Sequence, residues 1–129
     1  YEQFFQGGTS DDGLDYLART VRLVEHNAAN PGIVSLFAVL STEASDPAHP
    51  AHAYFRERYE RSRGWMRRAV SDLAARGLLR PHVEPDGLEI DLFALIDGLQ
   101  VQWLLQPERV DMPARLRARL RDILTVEVP

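Results

Sequence analysis

From Leu88 to Leu105 the chain is apolar around nearly the whole circumference of a helix-length run. Leu92, Leu95, Leu99 and Trp103 form one stripe, and Ile90, Phe93, Ala94, Ile96, Val101, Leu104 and Leu105 cover most of the rest. A helix without a wet face must be enclosed on every side. A chain of 129 residues with four other helices has too few neighbours to do this alone, so the pattern predicts a second copy of the molecule, a homodimer. A membrane would enclose the run as well, but Asp97 sits near its centre, with Glu89, Asp91, Gln100 and Gln102 around it. A central acid costs about 2.5–3.5 kcal/mol on insertion scales, against about 0.5 kcal/mol gained per Leu or Ile. No membrane role is expected.

Elsewhere the apolar positions recur at helical spacing, and breakers separate them. Tyr1, Phe4 and Phe5 read as the tail of a helix stopped by Gly7-Gly8. A new helix starts at Asp11–Asp12, either of which can cap it, and runs through Leu14, Leu17, Ala18, Val21, Val24 and Ala28 to Asn30-Pro31. Pro31 opens the next at its first position, where a missing N–H does no harm, and Ile33, Leu36, Phe37 and Leu40 carry it to about Ala44. Pro47 and Pro50 make residues 45–52 a turn-rich connector. The longest helix, roughly 51–77, has Ala51, Tyr54, Phe55, Arg58, Tyr59, Ser62, Trp65, Met66, Ala69, Val70 and Leu73 along one side. Gly77 is its expected left-handed terminus, with Leu78 and Leu79 folding back. After the apolar run, closed by Pro107, a last helix from Met112 to Thr125 presents Leu116, Leu120, Ile123 and Leu124 on one face. No strand is predicted, and the fold class is all-α.

Composition fits one domain. There is no cysteine, hence no disulfide or thiol chemistry, and with no signal peptide or long apolar span the expected compartment is the cytoplasm. All fifteen basic residues are arginine, which points to a GC-rich bacterial genome. A net charge of −4 is the wrong sign for a domain that grips nucleic acid unaided.

Catalytic chemistry finds little support. His49-x-x-His52 with Glu43 and Asp46 is the nearest approach to a metal cluster, but zinc needs three or four rigid ligands, and His49 precedes a proline. A solvated turn is the simpler reading, so no metal and no cofactor are expected. His26, on a face with Arg19 and Arg22, and His82 read as surface residues. No activated nucleophile beside an oriented base and no phosphate-cradling glycine loop are present. Glu57 and Glu60 alternate with Arg56, Arg58 and Arg61 as a solvated ion-pair face. An enzyme is not expected.

Polar residues inside the apolar stripes are more suggestive. Arg58 and Ser62 interrupt the long helix, Asp97 and Gln100 the apolar run, and Asn27 and Ser41 lie at stripe edges. A small-molecule pocket is mostly apolar with a few orienting polar groups. The same residues would also suit a solid core in which Arg58 pairs with Asp97 or snorkels outward. The pattern leaves both open.

Several strings in order, Asn30-Pro31-Gly32, Asp46-Pro47…His49-Pro50…Tyr54-Phe55, Gly77-Leu78-Leu79-Arg80 and Ala94-Leu95-Ile96-Asp97-Gly98-Leu99-Gln100-Val101-Gln102-Trp103, resemble the C-terminal effector-binding domain of TetR-family transcriptional regulators, particularly of the actinobacterial type. The resemblance covers residues 11–125. It implies a five- to six-helix orthogonal bundle whose last two helices, 88–106 and 111–125, form a four-helix bundle across a dimer axis. It also implies a pocket for a small, mostly apolar effector, whose binding shifts the affinity of helix-turn-helix modules for operator DNA. That module is absent here. Residues 1–10 are therefore the tail of a linking helix or foreign to the domain, residues 11–129 are the effector-binding and dimerisation domain, and operator DNA is a partner only through the absent module.

On this reading Leu23, Asn27, Phe37, Leu40, Ser41, Phe55, Arg58, Tyr59, Ser62, Met66, Phe93, Asp97 and Gln100 are the candidate ligand-binding residues. Leu92, Leu95, Leu99, Gln102, Trp103, Leu116, Leu120, Ile123 and Leu124 are the candidate dimer interface. A structural dimerisation module without effector, or a metal-dependent sensor or enzyme using His49, His52 and Glu43, are the alternatives.

Overall fold

A computed structural model describes residues Asp12 to Pro129, which form helices α1 (Gly13–Ala28), α2 (Pro31–Glu43), α3 (His52–Ala75), α4 (Leu88–Leu105) and α5 (Met112–Ile123). The helix tail at Tyr1, Phe4 and Phe5 and the stop at Gly7-Gly8 lie outside the described residues. The helix starts follow from local chemistry. Asp12 accepts hydrogen bonds from the N–H groups of Leu14 and Asp15 at 3.0 and 3.4 Å, and Asp111 does the same for Ala114 at 3.0 Å, each satisfying donors that the first turn leaves unpaired. Pro31 occupies the first position of α2.

α1 lies close against the second half of α3 because Gly13 has no side chain. A Cβ there would overlap the Ala69 carbonyl and come within 2.8 Å of Leu73 Cγ. The Gly13 N–H donates to Asp72 at 2.8 Å, and Arg76 bridges Asp72 at 2.9 Å and Asp12 at 3.1 Å. The guanidinium holds the Asp12 carboxyl below its ordinary range; at Asp72 the Gly13 N–H acts first and Arg76 second. α3 stops as its sequence predicts. Gly77 takes a φ of +67°, and the Leu78 N–H reaches back to the Leu73 carbonyl at 2.9 Å.

The last helix ends earlier than its apolar pattern suggests. Leu124 is extended and forms an isolated antiparallel bridge with Leu79. Arg80 N–H donates to the Ile123 carbonyl at 2.8 Å and Thr125 N–H to that of Leu78 at 2.9 Å. The tail is thus tied to the α3–α4 connector.

The core joins Tyr16, Leu17, Val21 and Val24 of α1 to Met66, Ala69, Val70 and Leu73 of α3, to one side of α4, and to Met112, Leu116 and Leu120 of α5. In the single chain, much of the stripe expected at an interface is already covered. Leu92, Leu99, Trp103, Leu116, Leu120 and Leu124 are all buried inside the single chain, and Leu95 and Ile123 pack partly buried against the same core. Of that set only Gln102 is exposed. The reason is that α5 lies along α4 within one molecule and covers the stripe that would otherwise need a partner. The side of α4 left open is a different one, Ile90, Ala94, Gly98, Val101 and Leu105. α2 departs from its pattern too: Val34 is its one buried residue, while Ile33 and Leu36 are 57% and 62% exposed. Among the described residues no helix is long and apolar enough to cross a membrane.

Candidate functional site

Two side-chain pairs fix how α3 and α4 run past each other. Arg67 meets Glu89 at 3.3 Å, and Tyr59 donates its hydroxyl to Asp97 Oδ2 at 2.7 Å. Both pairs are eight positions apart on their helices, so the helices are antiparallel and in step, with Arg63 level with Phe93 and Arg56 level with Gln100. Toward the Tyr59 end the two helices, with α1 and α2, surround a cavity of about 590 Å³. That size lies within the roughly 300–1,000 Å³ usual for small-molecule sites.

α1 supplies Leu23 and Asn27 to the wall, α2 supplies Phe37 and Ser41, α3 supplies Phe55, Arg58, Tyr59 and Ser62, and α4 supplies Phe93, Asp97 and Gln100. These are the candidate ligand-binding residues except two. Met66 is 1% exposed and belongs to the solid core one turn beyond Ser62. Leu40, half-buried, does not line the chamber. The wall also includes residues the sequence reading missed, among them Tyr16, Thr20, His26, Arg56 and Arg63. His26 was expected on a plain outer surface and instead borders the chamber.

Aromatic rings dominate the α2–α3 side. Phe37 and Phe55 pack edge to face with centroids 6.3 Å apart, and Tyr54 stands against Phe55 at 5.1 Å. The Arg58 guanidinium lies over the Phe37 ring, 4.5 Å from its centroid, and donates to the Tyr54 hydroxyl at 3.2 Å. Arg58 therefore neither pairs with Asp97 nor snorkels free; its charge is held against a ring face. Asp97 has a different setting. Burial pushes its carboxyl above the ordinary aspartate range, while the hydrogen bond from Tyr59 acts in the opposite direction.

The histidines of the α2–α3 connector serve the backbone. His49 Nδ1 accepts from the Ala51 N–H at 3.0 Å, and His52 Nδ1 lies 2.8 Å from the Ala44 carbonyl. Among the described residues no three His, Asp or Glu side chains are grouped to hold a metal ion.

The helices thus enclose a chamber lined by aromatic rings and a few polar groups. Residues 34–128 match the protein family described as BetI-type transcriptional repressor, C-terminal. The match covers most of the sequence, and the chain belongs to this family of TetR-type C-terminal domains, which are regulatory and not catalytic. Comparison with curated proteins and with solved structures gives no match.

Proposed function

We propose that the chain is the effector-sensing and dimerisation domain of a TetR-like repressor of actinobacterial type, in which a small molecule in the α1–α4 chamber changes the operator affinity of an attached DNA-binding module. The observation that carries this reading is the chamber itself. A domain needed only for association would gain by filling it, because each unfilled volume forgoes packing energy. Here the positions that could have filled it carry Ser62, Asp97 and Gln100 instead.

Association uses the uncovered side of α4. Ile90, Val101 and Leu105 are 56%, 49% and 77% exposed, and Ala94 and Gly98 between them let another helix approach closely. A permanent interface there would bury more than about 1,200 Å² in total. Light scattering at micromolar concentration tests this part. A dimer that becomes a folded monomer on joint Ile90→Glu and Leu105→Glu substitution supports it, and a parent chain that is monomeric removes it. For the chamber, thermal-shift screening of small molecules should give hits that Ser62→Phe abolishes; hits that ignore the substitution place the ligand elsewhere.

A further inference from the structure

The chamber's charge runs against that of the molecule. The whole chain carries −4, yet its wall holds Arg56, Arg58 and Arg63 against a single carboxylate, Asp97. Asp97 is already engaged by Tyr59. Arg58 is engaged by Phe37 and Tyr54. Arg56 and Arg63 differ: among the described residues neither makes an ion pair or side-chain hydrogen bond. The register set by Arg67–Glu89 and Tyr59–Asp97 places both on the seam between α3 and α4, one on each side of the Tyr59–Asp97 pair. The neighbours level with them on α4 are Phe93 and Gln100, which offer a ring and an amide but no negative charge. On the same seam, the next arginine outside the chamber, Arg67, does have a carboxylate, Glu89. The acid that would complete the seam is missing only where the chamber opens.

We propose that the effector is an amphiphilic monocarboxylate, its carboxylate held at the α3–α4 seam by Arg63, with Arg56 adding positive charge at the exposed end, and its apolar body lying against Phe93, Phe55 and Phe37. This rests on the chamber being the effector site. A guanidinium matches a carboxylate in geometry as well as charge, and Arg63, half-buried beside apolar walls, is screened less than a charge on an open surface, whereas Arg56 is exposed and adds positive charge at the mouth. The Tyr59–Asp97 hydrogen bond serves as the spacer. It occupies the one carboxylate that could otherwise neutralise the arginines, and keeps it on its own side of the seam.

Three probes with the same ten-carbon body separate the possibilities: decanoate, decan-1-ol and decyltrimethylammonium, titrated into the full chain by calorimetry. Decanoate should bind about 10- to 100-fold more tightly than the alcohol, the factor a charge-assisted hydrogen bond supplies. Arg63→Gln should reduce decanoate to the affinity of the alcohol while leaving the alcohol unchanged, with Arg56→Gln acting in the same direction. Equal binding of acid and alcohol, tightest binding of the ammonium, or equal loss of all three probes in Arg63→Gln would overturn the proposal while leaving a ligand chamber in place. Failure of all three to bind, together with no thermal-shift hit sensitive to Ser62→Phe, would remove the chamber reading along with it.

Discussion

Between Met66 and Leu73, α3 packs onto α1 and α4 in a core that α5 completes; one turn earlier, between Phe55 and Ser62, the same helix faces an open chamber. The two ends share both long helices and one register, so the difference does not lie in how the backbones cross. It lies in what is set against them. At the closed end α5 and the Gly13 approach of α1 bring apolar side chains into every gap. At the open end α2 stands where α5 would be, leaves Leu36 exposed, and lines the wall with Ile33, Val34, Phe37 and Ser41 without filling the space between the helices. A bundle can thus keep its stability and its emptiness in separate halves of one helix pair.

Truncation should show the largest contrast. Leu73→Ala, at the closed end, is expected to lose about 2–5 kcal/mol by removing a fully buried side chain. Phe93→Ala, which extends a space already open, should lose less than half as much despite deleting more atoms. Urea unfolding measures both, and equal losses would mean the two ends are not differently packed. Enlargement should invert the order with smaller effects. Ala69→Leu overpacks the closed end and should destabilise by about 1–3 kcal/mol, whereas Ser62→Val projects into free volume and should stabilise by about 0.5–2 kcal/mol. A destabilised Ser62→Val would indicate that its hydroxyl is structurally required.

The smallest effect concerns pH. Burial raises the Asp97 pKa in the folded chain, so ionisation is disfavoured there. Stability associated with this group is complete below its unfolded value and declines as pH rises through the raised folded value. Asp97→Asn cannot ionise and still accepts the Tyr59 hydrogen bond. It should melt above the parent at neutral pH, and the gap should close on acidification toward the ordinary aspartate value of 3.8. A gap that widens on acidification would reverse the sign and place a cation against Asp97.

Helix limits were legible because they are set by local chemistry: Asp12, Pro31, Gly77 and Asp111 act on residues within one turn of themselves. The polar interruptions at Arg58, Ser62, Asp97 and Gln100 were legible as a group, since they stand where a filled core would have apolar residues. The direction α4 faces was not. A run apolar on all sides carries no directional signal, and which stripe remains uncovered depended on where α5 came to rest. Arg63 is not singled out by the pattern and His26 reads as a surface residue for a related reason: a chamber wall includes the polar flank of each helix, and periodicity assigns that flank to solvent. Leu40 and Met66 show the reverse error. Each continues an apolar stripe that the fold divides between two environments.

The tie between Leu78–Arg80 and Ile123–Thr125 joins groups up to 47 positions apart and encloses α4 and α5 in a loop of chain. Closing that loop brings together residues 47 positions apart, a cost in chain entropy that contacts within one helix do not carry. The amides of Arg80 and Thr125 therefore mark the final closure. In pulse-labelled hydrogen exchange during refolding they should gain protection after the amides of Met66 to Leu73, which makes them timers for the completion of the fold.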